Sequence, residues 1–171
     1  KGYRPKLKGD LERIKAAIEL MRDAKRPLFY TGGGIINSGP EASHFLRELV
    51  KLTGFPITST LMGLGAYPAA DPQWLGMLGM HGTYEANLSM HDCDVMICIG
   101  ARFDDRITGR LDAFSPGSRK IHVDIDPSSI NKNVKVDIPI ICDCAHVLED
   151  MVRLWRASAK SADKKAIDAW W

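Results

Sequence analysis

Apolar residues recur at helical spacing from Leu11 through Ile14 and Ile18 to Met21, and the stripe stops near Lys25-Arg26-Pro27. Basic residues suit a helix C-terminus and proline blocks propagation, so the pattern predicts a first helix ending there. Leu28-Phe29-Tyr30-Thr31 is then a short unbroken apolar run entering Gly32-Gly33-Gly34, which reads as a buried strand followed by a tight loop. A second helix is predicted from Pro40 to Thr53. Proline suits its first turn, Phe45, Leu46, Leu49 and Val50 form its inner face, and Gly54 stands where a left-handed C-cap belongs. Pro56 to Thr60 reads as a second strand, and 61–78 as glycine- and proline-punctuated loop with one short helical turn. Thr83 to Asp92 is helical in pattern. Asp94 to Ile99 (DVMICI) is the most continuously apolar segment, as expected of a strand covered on both faces. Lys120 to Ile125 and Pro139 to Cys142 are further strands, and Asp143 is placed to cap a helix carrying Val147, Leu148, Met151, Val152 and Trp155. Strands alternating with helices predict an α/β fold, a doubly wound and mostly parallel sheet, with ligands gathered at the carboxyl ends of the strands.

Composition bounds this picture. The 171 residues, 45% of them hydrophobic, suffice for one compact domain. Lys1 to Gly9 is basic and contains Pro5, which suggests an incoming linker (1–9), with Asp10 as N-cap of the first helix. The domain proper is expected over 10–158, and 159–171 as the start of a linker to a further domain. The absence of an initial methionine and the stop at Trp170-Trp171 within an amphipathic segment suggest a piece of a longer polypeptide. Net charge is 23 − 21 = +2, without blocks of one sign, which argues against nucleic acid. Cys93, Cys98, Cys142 and Cys144 have neither zinc-ribbon nor secreted-disulfide spacing, so a reducing, cytoplasmic compartment fits best. No apolar run approaches the roughly 20 residues of a membrane span, and no signal-peptide core is visible.

Candidate chemistry lies in glycine loops and acids. Thr31-Gly32-Gly33-Gly34, Met62-Gly63-Leu64-Gly65 and Gly76-Met77-Leu78-Gly79-Met80-His81-Gly82 flank strands or helices. Such loops either let backbone N–H groups approach a phosphate or serve only as turns. The dinucleotide fingerprint is not met: the first loop lacks its third glycine and the second strand ends in Thr58-Ser59-Thr60 rather than an acid. Asp124-Ile125-Asp126 does supply acids at a strand end, where a carboxylate can accept sugar hydroxyls, or where Asp126 before Pro127 caps a turn. Gly100 to Gly109 (GARFDDRITG) is a charge-dense loop directly after the most apolar strand. Arg102 there can pair with a phosphate or with Asp104 and Asp105 in a closed network. His81, His91 and His122 lack metal spacing, so no metal site is expected within the chain.

Taken together, TLMGLGAYP (Thr60 to Pro68), LGMLGMHGTYEAN (Leu75 to Asn87), GARFDDRITG and HVDIDP (His122 to Pro127) resemble the central domain of acetohydroxyacid (acetolactate) synthases, which are thiamine-diphosphate enzymes. The resemblance covers nearly the whole chain and implies a Rossmann-like, FAD-holding domain. It further implies a parent transferase of branched-chain amino-acid synthesis that joins decarboxylated pyruvate to a second 2-ketoacid, pyruvate or 2-ketobutyrate, with FAD in no net redox role. Carried over by motif, the implied flavin contacts are Gly33, Gly34, Thr60, Leu61, Met62, Met80, His81, Gly82, Ala101, Arg102, Asp104, Arg106, Asp124, Ile125, Asp143 and Cys144, while Asp105 and Arg106 face the substrate channel. No catalytic residue is implied here. The glutamate that activates thiamine and the GDG-type motif for magnesium and diphosphate have no counterpart in these residues, so the domain alone is expected to be inactive. Implied partners are flanking domains of the same polypeptide, a homodimer or homotetramer, and a small regulatory subunit, in the cytoplasm of a bacterium or in a plastid or mitochondrion of a eukaryote.

Other readings are a glyoxylate carboligase or pyruvate oxidase type of thiamine enzyme, a structural platform without cofactor affinity, and a sirtuin-like NAD domain suggested by Thr31 to Pro40. The last lacks the two C-x-x-C pairs of a sirtuin zinc.

Overall fold

A computed structural model describes residues 11–60, 63–77, 83–101, 117–126, 136–158 and 162–171. In chain order these form α1 (Leu11–Asp23), β1 (Pro27–Thr31), α2 (Gly33–Asn37), α3 (Pro40–Thr53), β2 (Ile57–Ser59), β3 (Trp74–Met77), α4 (Tyr84–Asp92), β4 (Val95–Ile99), β5 (Arg119–Asp124), β6 (Ile138–Ile141), α5 (Cys144–Ala157) and α6 (Lys164–Trp170). Asp10 and Lys1 to Gly9 lie outside the described residues. The six strands are hydrogen-bonded in the order β3-β2-β1-β4-β5-β6, and every pair is parallel. The chain therefore winds outward from β1 to β3, returns beside β1 at β4, and winds outward again to β6.

Side-chain alternation divides the core between the two faces. Phe29, Ile57, Ile97, Ile99, Ile121 and Val123 pack with α1, α3 and α5 in one cluster; Leu28, Tyr30, Met96 and Cys98 pack with Ala86 and Met90 of α4 in the other. Phe55 bridges Phe29 and Trp155, at ring separations of 5.8 and 5.9 Å, and such pairs add about 0.5–1.5 kcal/mol each beyond area burial. The predicted α3 is found over its full expected length, and Gly54 takes φ 75° as its left-handed cap.

Two elements depart from the sequence pattern. The glycine loop runs straight into the short helix α2, and β3 forms within the stretch read as loop. Four residues containing Gly76 give too little alternation to signal a strand, and β3 is held by pairing rather than propensity: Ile57 matches Trp74 and Ser59 matches Met77. The loop before it is stapled to α3. Asp71 pairs with Lys51, and Gln73 Nε2 donates to the carbonyls of Val50 and Phe55, both at 2.9 Å.

At the amino-terminal pole of the sheet, Asp94 accepts the backbone N–H groups of Lys25 and Arg26 at 2.9 and 2.8 Å, closing the α1–β1 turn. Buried Arg22 donates to the carbonyl oxygens of Trp155 and Leu154 at 3.0 and 3.4 Å and lies 4.6 Å from the Trp155 ring centroid. A cation thus closes the C-terminus of α5, where the dipole favours it. Helix α6 docks at the same pole. Trp170 Nε1 donates to the Pro27 carbonyl at 2.8 Å, and Trp171 Nε1 to that of Gly54 at 3.1 Å.

Candidate binding site

Because the chain turns outward in opposite directions after β1 and β4, the carboxyl ends of these two strands form the topological switch point of the sheet, the place where open α/β sheets offer a ligand crevice. The backbone there is unusually close. Gly32 N–H donates to the Ile99 carbonyl at 3.1 Å, Gly34 N–H to that of Gly100 at 2.9 Å, and Gly100 N–H to that of Val123 at 2.9 Å. A Cβ on Gly32 would lie 2.6 Å from the Ala101 Cα, one on Gly34 2.7 Å from the Gly100 Cα, and one on Gly63 2.9 Å from the Gly32 Cα. Gly100 itself has φ +68°. These glycines interlock three loops, β1–α2, β2–β3 and the one leaving β4, into one floor.

The interlock bears on phosphate binding. Two first-turn amides of α2 are committed internally, Gly34 to Gly100 and Ile35 to the Gly32 carbonyl at 3.2 Å. A helix of five residues also offers only a small dipole. The floor supplies shape and close approach more than a nest of donors.

The crevice has one acidic side. Asp124 ends β5, and one carboxylate oxygen accepts the Asp126 N–H at 2.9 Å, an Asx turn capped by Asp124, while the turn that Asp126 is expected to cap before Pro127 lies outside the described residues. Its other oxygen lies 3.7 Å from Nε2 of wholly buried His122, which is also 2.8 Å from the Ala101 carbonyl. Burial lowers the pKa of His122, offset in part by that carbonyl and by Asp124, so the ring is neutral near pH 7 and Nε2 carries the proton donated to Ala101.

Farther along, Asp143 occupies the N-cap position of α5 but its side chain does not cap the helix. Ser38, from the α2–α3 turn, takes that role: its hydroxyl accepts the Ala145 N–H at 3.2 Å and donates to Asp143 Oδ1 at 2.5 Å. Cys144 is buried beside these groups. Desolvation, with Asp124, Asp143 and Cys142 adding to it, pushes its thiol up to about 12, so it is a thiol and not a nucleophilic thiolate at neutral pH.

Of the predicted site residues, Gly33, Gly34, Thr60, Ala101, Asp124, Ile125, Asp143 and Cys144 all fall at the carboxyl-end pole, at the ends of five different strands. Leu61, Met62, Met80, His81, Gly82, Arg102, Asp104, Asp105 and Arg106 lie outside the described residues. Thr60 is tied to the site by its N–H, which donates to the Thr31 carbonyl at 2.9 Å. Sequence reasoning gives no site role to Ser38 or His122, whose partners lie 105 and 21 residues away. Among the described residues no group of three or more His, Cys, Asp or Glu could hold a metal ion, and no helix is long and apolar enough to cross a membrane. Surface hollows of about 440 and 460 Å³, lined by Arg22, Leu154 and Ser158 and by Gly54, Ile167 and Trp171, lie at the opposite pole.

The family model described as "Thiamine pyrophosphate enzyme, central domain" matches residues 14–151, from within α1 to within α5. The chain belongs to this family. The match thus takes in all six strands and the described residues at the carboxyl ends of β1, β2, β4, β5 and β6. Curated relatives agree in name. The chain is 44% identical over 171 residues, all of its length, to the acetolactate synthase isozyme 3 large subunit of Escherichia coli (strain K12), of which it covers 29%. It is 44% identical over 170 residues, 99% of its length, to the acetolactate synthase of Mycobacterium leprae (strain TN), covering 27%. It is 47% identical over 151 residues, 88% of its length, to the probable acetolactate synthase large subunit of Methanocaldococcus jannaschii, covering 25%. The chain spans less than a third of the length of these relatives.

Proposed function

We propose that this central domain holds FAD for an acetolactate synthase large subunit, a thiamine-diphosphate-dependent transferase that joins pyruvate to a second 2-ketoacid, pyruvate or 2-ketobutyrate, in branched-chain amino-acid synthesis. The observation that carries the reading is the glycine-floored crevice at the β1/β4 switch point, in a chain that matches acetolactate synthases along its entire length. The residues fit an extended dinucleotide. The missing side chain at Gly34 lets the Gly100 backbone close the floor, and Gly33 beside it presents no side chain to a ligand backbone. The Asp124 carboxylate, at the end of β5, is the acceptor suited to a sugar hydroxyl, and Asp143 and Cys144 close the far end. Arg102, next in sequence after Ala101, suits the pyrophosphate, a contact that the committed amides of Gly34 and Ile35 make more necessary.

Bound FAD supplies no net redox change; this chain binds it, orients it and keeps water from it. Thiamine diphosphate and magnesium belong to other parts of the parent polypeptide, and Asp105 with Arg106 faces the substrate channel, where the arginine steers a ketoacid carboxylate. The 171 residues alone are inactive in this reading. The parent acts in the cytoplasm as a homodimer or homotetramer, with a small regulatory subunit. The test is an assay of the full-length parent with pyruvate, thiamine diphosphate, magnesium and FAD. Acetolactate is formed if the reading holds, and Asp124→Ala raises the FAD concentration needed for half-maximal rate about tenfold, the equivalent of one lost charged hydrogen bond. Pyruvate consumption without acetolactate, as an oxidase would give, sinks it.

A further inference from the structure

His122 sits wholly buried near the middle of β5, between buried Lys120 and Asp124 on the same face of the strand, while Ile121 and Val123 fill the other face. A polar ring placed there costs desolvation that a hydrophobic residue would not, so its hydrogen bonds must repay it. The neighbours in register are Cys98 on β4 and Pro139 on β6, neither of which is a strong partner for an imidazole. The ring instead reaches along its own face of the sheet. Nε2 is 2.8 Å from the carbonyl oxygen of Ala101, the residue that follows the left-handed turn at Gly100, and 3.7 Å from Asp124 Oδ2, two positions along the same strand.

We propose that His122 is a positioning residue of the binding site: one imidazole N–H holds the Ala101 carbonyl and flanks the Asp124 carboxylate, fixing the exit of β4 and the acid at the end of β5 relative to each other before ligand arrives. The step from positioning to FAD rests on the cofactor reading above. With the Gly100 N–H on the Val123 carbonyl, the bond from His122 makes a two-point anchor between the β4 exit and β5. Preorganisation of this kind removes an ordering cost from binding.

The test compares His122→Phe, which fills the space without a donor, with His122→Gln, which restores an N–H. The first readout needs no ligand. Hydrogen exchange at the Gly100 amide speeds up about tenfold in the Phe variant and stays within about threefold of wild type in the Gln variant, as expected for loss and retention of one buried hydrogen bond. Equal exchange in wild type and the Phe variant overturns the inference, whatever FAD does. Should the Phe variant not fold, long-range proton–nitrogen NMR of the wild-type ring decides: a proton on Nε2 at pH 7.5 supports the anchor, and one on Nδ1 alone overturns it. The second readout is FAD affinity. Kd rises about tenfold in the Phe variant and less than threefold in the Gln variant, while equal affinity in all three removes the positioning role. Failure of wild type itself to bind FAD counts against the cofactor reading and leaves the exchange measurement to judge His122.

Discussion

Gly32 and Gly34 are constrained by their neighbours' backbones, so their roles can be separated from any role toward phosphate. A methyl group at Gly32 would meet the Ala101 Cα at 2.6 Å, a backbone atom that cannot swing away. Gly32→Ala is expected to cost about 1–3 kcal/mol, the usual range for overpacking, as read from urea denaturation. A cost under about 0.5 kcal/mol would mean that the loops yield and the interlock is not rigid. The buried thiols give a second expectation. Cys93, Cys98, Cys142 and Cys144 are buried, and burial raises the thiol pKa of Cys98 and Cys144. A disulfide reagent at pH 8 should therefore label the four slowly until urea unfolds the chain, and fast labelling of a folded thiol contradicts this packing. For His122, whose pKa burial lowers from 6.5, the sign follows from proton counting. The unfolded chain binds the extra proton first, so its contribution to stability is complete above about pH 6.5 and is lost as pH falls below it. Melting temperature measured from pH 7 to 5 should fall more steeply in wild type than in His122→Gln; parallel curves would show that the ring does not titrate as described.

Among the elements, α5 is held at both ends by residues far from it in sequence. Ser38 receives its Ala145 N–H, and Arg22 closes its last carbonyls. Ser38→Ala should destabilise the chain by about 0.5–2 kcal/mol, the usual value of an N-cap, and disturb Asp143, which loses its hydroxyl partner. Measured stability within a few tenths of wild type would return the capping role to Asp143. Local signals make α1, α3, α4, β1 and β4 legible, because each shows its period, its cap or an unbroken apolar run. The contributions of Ser38 and Arg22 are not legible, since a cap supplied from another element leaves no trace beside the helix it serves. Strand β3 escapes the sequence pattern for a related reason. Its four residues are ordered by pairing with β2 and by Thr83, whose hydroxyl donates to the Leu75 carbonyl at 2.5 Å.

For the whole molecule, strand order decides where ligand can sit, and the order β3-β2-β1-β4-β5-β6 puts the crevice between β1 and β4. Strand-helix alternation predicts the class of sheet, and such sheets as a class gather ligands at the carboxyl-end pole. It does not predict that the glycines of these loops play different parts. Gly32, Gly34, Gly63 and Gly100 meet backbone to backbone, whereas Gly76 (φ +99°) packs against the Thr83 side chain. The docking of Trp170 and Trp171 on Pro27 and Gly54 places the C-terminal helix away from that crevice. The most direct test of the central claim is a titration of this chain with FAD, followed by flavin fluorescence and melting temperature, with NAD as control and Asp124→Ala alongside wild type. Saturable FAD binding that raises the melting temperature and weakens about tenfold in Asp124→Ala is the predicted result. Binding of NAD in preference to FAD, or FAD binding indifferent to Asp124, would contradict it.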